Sequence, residues 1–510
     1  MIGTLVIATV VLLYIFVQRR FRFFEKNGIP FEPGYFPFGS LIYWKMITGQ
    51  VALFSITKSI YEKHPNAKAV GYYGILGKPH LVICDLDLAK KVMVRDFDHF
   101  VDRPFADGIH PDANKYFCKM LTVLKGDEWK AIRNLVSPIF TSGKIKATVP
   151  VINQVASELA DYIDQRVIGE TSTDNKDIFQ KYSIEVLGRL GCGVEPKILT
   201  DNNPDKNVFY QKALELSGGG KPNLVTVFKF IVTLIFPTIA YYSKMSAFEP
   251  EPINFMGALI SNAIKDRQAT KVKKSDLIDF LKDAIKEFEQ SNPNGMSEGE
   301  ITELIIANGL LLFFAGTDTS SSALSIVMHF MAKNPDLQEK LYREIKDAIE
   351  ENNGNANLDY TTLNGLKFMG SVIKESLRFW GFNFLDRTCT KDYHMPELNA
   401  TIPKGMQVTV AGASIMQDEK FFPDTQTFDP EAHFEDESLY PASFMAFGQG
   451  PRNCIGMRFA YMVVRACLVH TLANYKVEPC PKTITDWEID PLHPSALPKG
   501  GLYVKYTRRE

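Results

Sequence analysis

The stretch Phe447–Gly456 reads FGQGPRNCIG. Three glycines and a proline within ten residues exclude both helix and strand, so this loop must be held by what surrounds it. The glycines at 448, 450 and 456 permit backbone angles that other residues resist, and let the main chain pass close to something flat and large. Pro451 stiffens the turn and removes one amide donor, and the remaining amides can point at the sulfur of Cys454. The next residues, MRFAYMVVRACLVHTLANY, carry a helical apolar pattern. Cys454 thus lies just ahead of a helix N-terminus. Both features favour a thiolate, which serves as a nucleophile or as a metal ligand. The competing reading is a buried structural cysteine.

A second stretch carries polar chemistry where packing alone would not put it. Ile305–Ala332 is a long apolar run, yet Ala315–Ser320 reads AGTDTS. A membrane span or an ordinary core helix would not carry this cluster of Asp, Thr and Ser. Hydroxyls there can bond back to the preceding turn and bend it, and Gly316 weakens the ladder further. The expected outcome is a groove in a buried helix with room for a ligand. A polar helix crossing is the alternative.

Composition narrows the class. The 510 residues are 45% hydrophobic and 23% charged, with a formal net charge of -2, which carries no nucleic-acid signature. The seven cysteines include no CxxC pair, which argues against a structural zinc site and for free thiols in a reducing compartment. Length alone allows about three domains.

Ile2–Val17 is uncharged and is followed by QRRFRFF. It lies at the short end for a membrane-spanning helix, with arginines able to snorkel and aromatic residues suited to the interface. A cleaved signal peptide needs basic residues before the run and a small-residue cleavage site after it, and both are missing. Residues 1–18 are expected to be an uncleaved anchor, 19–40 a basic and proline-rich hinge, and 41–510 the catalytic domain. Positive charge after the span predicts a single-pass protein with that domain in the cytosol. Leu224–Tyr242, after the SGGG of 217–220, is either a core helix or an element leaning on the membrane. Lys229 and Pro237 argue against a second span.

Apolar periodicity predicts helices at Leu88–Val94, Ile152–Ile168, Leu277–Phe288, Gln338–Ile349 and Met369–Phe379. Strands are expected as a hairpin in Ala69–Asp85 around Gly77-Lys78-Pro79, and at Met406–Ala411 and Leu502–Tyr506. The best surface loop is Ser291–Glu300. The class is mainly α with a small β region, an α+β fold.

Phe447-x-x-Gly450-x-Arg452-x-Cys454-x-Gly456 resembles the haem-binding signature of the cytochrome P-450 superfamily. The other motifs follow in that family's order: Trp129-x-x-x-Arg133, AGTDTS, Glu375-x-x-Arg378, FDPEAHF at Phe428–Phe434, and the cysteine loop. LDRTCTKDY at Leu385–Tyr393 resembles the animal microsomal group that includes vertebrate steroid- and drug-oxidising enzymes and insect detoxification enzymes. The resemblance spans nearly the whole chain and implies one large haem domain in place of three.

It further implies that Cys454 is the axial thiolate of haem b, which favours O–O cleavage. Asp318 and Thr319 become the acid–alcohol pair that delivers protons to O2. Trp129, Arg133, Arg387 and Arg452 become haem-propionate contacts, with Phe447, Gly448 and Gly456 in the cofactor loop. Arg103 is a weaker candidate, because Asp102 beside it opposes a carboxylate. Glu375 and Arg378 become the buried ion pair, with His433 where the family carries arginine, which makes the triad sensitive to pH. Expected pocket walls are Phe105, Phe313, Phe314, Ala315, Phe382 and Phe384, with plain core packing as the alternative for each phenylalanine.

The implied activity is a membrane-bound monooxygenase acting on an apolar steroid, lipid, terpenoid or xenobiotic in the endoplasmic reticulum. Its electrons come from NADPH through a reductase, with cytochrome b5 as a second partner. Lys125, Lys130, Arg458 and Arg465 are candidate docking charges on the Cys454 face. The rivals are a haem-thiolate isomerase or dehydratase working without O2, and a non-catalytic haem-dependent lipid binder.

Overall fold

The longest element is the helix Glu298–Lys333, 36 residues and about 54 Å long. It begins at a capping box, in which the Ser297 hydroxyl accepts the Glu300 N–H and the Glu300 carboxylate accepts the Ser297 N–H. By length and composition it could cross a membrane. Instead the helices Asn175–Leu187, Pro250–Thr270, Lys367–Trp380 and Met457–Asn474 pack around it. It is therefore a core helix of the body. The computed structural model describes residues 2–52, 55–217, 224–246, 249–274, 276–291, 297–382, 385–434, 442–491, 493 and 495–510.

Three of the helical expectations land inside longer elements, Leu277–Ser291, Pro335–Glu351 and Lys367–Trp380, while Ile152–Ile168 overruns the end of Ser142–Arg166 by two residues. Leu86–Lys90 runs on into a wide turn at Lys91–Arg95. The expected hairpin forms from Ala69–Tyr73 and Pro79–Ile83. Gln407–Val410 then pairs parallel to Pro79–Ile83, and Asp386–Thr388 adds antiparallel to Gln407–Val410. A second sheet joins Tyr475–Glu478, Tyr503–Arg508 and Thr173–Asp174. Both sheets thus draw on distant parts of the chain. Half of the surface loop expected at 291–300 (residues 292–296), and most of SGGG, lie outside the described residues, and the loop's ends, Ser291 and 298–300, belong to the flanking helices.

Leu224–Tyr242 forms two helices, Leu224–Ile235 and Pro237–Tyr242, broken where Pro237 cannot continue the ladder. Val225, Phe228, Ile239 and Tyr242 are exposed, so this is not a core helix.

The N-terminal helix runs Ile2–Arg20 and exposes Leu5, Ile7, Leu12 and Phe16. The segment read as a hinge is packed into the body. Val17, Phe21 and Phe24 are buried. Phe21 fills a notch where a Cβ on Gly34 would stand 2.3 Å from its ring, and Phe24 fills one where a Cβ on Gly71 would stand 2.4 Å away. The Tyr73 hydroxyl donates to the Phe21 carbonyl at 2.6 Å and accepts the Phe24 N–H at 3.2 Å. Three buried apolar side chains are together worth about 5 kcal/mol. A chain beginning at residue 17 is therefore expected to melt with the full-length protein in the same detergent. One beginning at residue 27 should melt well below both, and equal melting temperatures would show that the packing contributes nothing.

Candidate active site

The loop Phe447–Gly456 lies between the helix Gly126–Val136 and the start of Met457–Asn474, for which Gly456 is the N-cap. Gly450 takes φ +72°, and a Cβ there would meet the Met93 carbonyl oxygen at 1.9 Å, so no other residue fits. Gly448 also has positive φ, at +70°. Gly456 does not: its φ is −85°, and its missing side chain serves to keep space open rather than to permit a turn. Arg133 clamps the loop, donating to the Asn453 carbonyl at 3.0 Å and to Asn453 Oδ1 at 2.8 Å.

Above the loop is a cavity of about 280 Å³. Its walls include Cys454, Gly456, Trp129, Arg133 and Arg452 on one side and Ala315, Gly316 and Thr319 of the central helix on the other. Cys454 and Ala315 both expose surface although protein encloses them, because that surface faces the cavity. The two motifs of the sequence are thus brought face to face. Phe447 and Gly448 look the other way, onto an open depression on the outer side of the loop that Lys90 and Arg95 also line.

The charge around the cavity is one-sided. Arg387 and Arg452 are buried, and each is pushed down to about 9, first by burial and then by the like charge of Arg103. Arginine keeps its proton in proteins, so this depression measures an excess of buried positive charge. Among the described residues, no carboxylate forms an ion pair with Arg103, Arg133, Arg387 or Arg452. The Nε atoms of Arg103, Arg387 and Arg452 are buried without a hydrogen-bond partner. Arg103 adds its like charge to both, and Asp102 offsets part of it at Arg452. The Asp102 carboxylate is occupied, accepting the Gly126 N–H at 2.8 Å. Arg452 also stacks over Trp129, 4.3 Å from the ring centre.

The protein alone does not make Cys454 a thiolate. Burial pushes its thiol up, and the Gly456 N–H, Arg133 and Arg103 only partly offset this. A bound cation at the sulfur would reverse the balance.

Asp318 and Thr319 part company. The Thr319 hydroxyl lines the cavity and donates to the Ala315 carbonyl at 2.7 Å. Asp318 points behind the helix, where its Oδ1 lies 2.7 Å from Lys176 Nζ. Lys176 has no motif around it and is 142 residues away in sequence, so nothing in the linear chain marks it.

The expected phenylalanine walls are corrected. Phe313 is fully buried, packed on Phe209 at 5.8 Å and against Gly191, and is core. Phe314 and Phe105 both pack edge-on against Phe117, at 5.7 and 6.0 Å. Phe382 stacks on Trp380 at 4.8 Å. None of these four lines this cavity; Phe384 lies outside the described residues. Arg465 is not a docking charge, being buried and donating to the Leu363 and Leu366 carbonyls. Lys125 is paired with Asp107 at 2.5 Å, while Arg458 and Lys130 are exposed.

Glu375, Arg378 and His433 form one buried unit. Arg378 donates to both Glu375 oxygens, at 2.7 and 2.8 Å. His433 Nδ1 lies 3.0 Å from Glu375 Oε1, and its Nε2 lies 2.6 Å from the Pro423 carbonyl. Both partners accept, so both ring nitrogens donate and the ring is charged. Burial opposes that charge, but the bonds to Glu375 and Pro423 outweigh it and raise the His433 value. Its stabilisation is complete below the ordinary histidine value of about 6.5 and is lost as pH rises through the raised folded-state value. Wild-type melting temperature should therefore fall along that alkaline limb, and His433→Arg, charged throughout, should flatten it. An unchanged slope in the variant would assign the limb to another group.

Comparison with known proteins agrees with this geometry. The family model described as Cytochrome P450 matches residues 37–505. Cytochrome P450 6B1 of Papilio polyxenes is 29% identical over 98% of this chain and 97% of its own length. Cytochrome P450 9e2 of Blattella germanica is 30% identical over 94% and 93%, and Cytochrome P450 9b2 of Drosophila melanogaster 29% over 98% and 97%.

Proposed function

The chain belongs to the cytochrome P450 family of haem monooxygenases, and on that premise we propose that it is anchored in the endoplasmic reticulum membrane and oxidises an apolar substrate with NADPH-derived electrons. One observation carries the reading of the site: Cys454 faces Ala315 and Thr319 across a cavity lined by Arg103, Arg133 and Arg452, none of which has a paired carboxylate among the described residues. That donor set fits haem b. Cys454 would hold the haem iron through its sulfur. Arg103, Arg387 and Arg452, with unsatisfied Nε donors, would bind the propionates, and Trp129 would hold Arg452 in place. Arg133, which bonds Asn453, would set the height of the loop that presents Cys454. When bound, the haem supplies the oxygen-activating chemistry that thiolate ligation favours.

The remaining work falls to the chain. Leu311, Leu312, Val136 and Ile139 keep the cavity apolar and exclude water. Thr319 is the hydroxyl at the cavity, and Asp318 the acid that resupplies it. Exposed apolar side chains on Ile2–Arg20 and on Leu224–Tyr242 support a membrane-bound protein. Lys130 and Arg458 remain as docking charges for a flavoprotein reductase, and cytochrome b5 is the second partner of the same face.

The test is reconstitution with the reductase under labelled dioxygen. The product is expected to carry one labelled oxygen atom, and Thr319→Ala to lower product per NADPH about tenfold or more while peroxide accumulates. Product formed without dioxygen, at an unchanged rate in Thr319→Ala, would establish the isomerase reading instead. Reversing both Lys130 and Arg458 to Glu should weaken reductase binding severalfold, less so at high salt. An unchanged reductase Kd would remove these two residues from the interface.

A further inference from the structure

Asn308 is an amide in the middle of an apolar run, IIANGLLLFFAG. It stands on the central helix about two turns before Ala315, which is about 10 Å along the axis. The same stripe carries Leu311, Leu312, Ala315 and Thr319 into the cavity. Asn308 lines the cavity too, and is only 4% exposed. Its Nδ2 donates to the Leu304 carbonyl at 3.0 Å, one turn back, and this bond fixes the orientation of the amide. Turning the amide over would set two oxygens against each other. The Asn308 Oδ1 is buried and has no hydrogen-bond partner among the described residues.

The unpartnered atoms of the lining differ in kind. Arg103 Nε and Arg452 Nε can only donate, Ser183 Oγ can do either, and Asn308 Oδ1 can only accept. They differ in place as well. The arginines lie with Cys454. Ser183 lies one turn before Leu187, whose side chain a Cβ on Gly316 would meet at 3.1 Å, so it stands near the level of Thr319. Asn308 is farther along the helix, among leucines. Haem offers it nothing, because the propionates are acceptors and go to the arginines. A water there would find one partner among the described lining residues, where a buried water makes about three bonds. We infer that Asn308 Oδ1 binds the hydroxyl of the substrate, an otherwise apolar alcohol, and so turns a carbon remote from that hydroxyl toward Cys454. The inference rests on the monooxygenase reading and narrows its substrate class.

Other polar groups fit this atom less well. A ketone, an ester or an ether has no hydrogen to give. An ionised acid sets oxygen against oxygen. An ammonium brings three donors to one acceptor, at the cost of burying a charge. The neighbouring lining, with Leu277, Leu281, Leu311 and Leu312, is hydrocarbon and calls for the same in the rest of the molecule.

A hydroxyl at Oδ1 makes a bond that the empty protein leaves unmade, and its methyl ether cannot make it. A site built around such a bond rejects the analogue that lacks the hydrogen. The alcohol should therefore bind about tenfold more tightly than the ether. The same reasoning applies to the protein without ligand. Replacing an unmade buried acceptor by an apolar side chain of similar size removes a cost, so it should not destabilise the fold.

The test uses the full-length haem protein and needs no turnover. Binding of labelled dodecanol is measured by equilibrium dialysis, with dodecyl methyl ether as competitor, in one detergent throughout. The wild type is expected to prefer the alcohol about tenfold, and Asn308→Leu to bring the ratio to about one. Asn308→Ala gives the same comparison without a branched side chain. Asn308→Leu should also melt no lower than the wild type; a clear drop would show that Oδ1 is satisfied inside the protein and overturn the inference. So would a wild type that does not prefer the alcohol, or an equal preference in all three proteins. With reductase and NADPH, oxidation of dodecanol should fall far from the hydroxyl in the wild type and spread along the chain in Asn308→Leu. An intact binding preference without any NADPH-dependent product would count against the monooxygenase reading and leave the hydroxyl site standing. Product formed with no preference for the alcohol would do the reverse.

Discussion

A close backbone approach sets the height of everything at the site. At Gly450 the loop passes so near the Met93 carbonyl that even one methyl group is excluded. Arg133 ties the same loop from the opposite side through Asn453. Between these two constraints Cys454 has no freedom to retreat into the core, which is where burial would otherwise favour a neutral thiol. The sulfur instead faces a cavity, with the N-terminus of Met457–Asn474 just behind it.

The second organising feature is unbalanced charge. Arg103, Arg133 and Arg452 border the cavity, and among the described residues no carboxylate is paired to them, a costly arrangement that makes sense only if an anionic ligand completes it. On the far side of the central helix the arrangement is reversed: the Lys176 ammonium contacts the Asp318 carboxylate and the hydroxyls of Ser321 and Ser322. The 36-residue helix thus separates a cationic, apolar chamber from a buried ion pair, and residues 318 and 319 face opposite sides of it.

Local chemistry was legible in the sequence wherever one short stretch contained it. The Cys454 loop, the following helix, the hairpin around Gly77 and the Glu375–Arg378 pair all rest on spacing within about ten residues. The four arginines could be named one by one, but not their order of importance. Only folding shows that Arg103 shares one cavity with Arg133 and Arg452 and that the Asp102 carboxylate accepts the Gly126 N–H. Lys176 was invisible, since its partners lie some 140 residues away. Arg465 read as a surface charge because a helical period does not say which neighbour covers which face; the helix Tyr360–Gly365 covers it. Phe313 failed as a pocket wall for the same reason.

The central claim is that Cys454, held at this height, ligates iron as a thiolate. The most direct test is the ferrous carbon monoxide difference spectrum of the purified full-length protein, beside Cys454→His. The account predicts a strongly red-shifted Soret band in the wild type alone. Bound haem without that band, or the same band in both proteins, would contradict it.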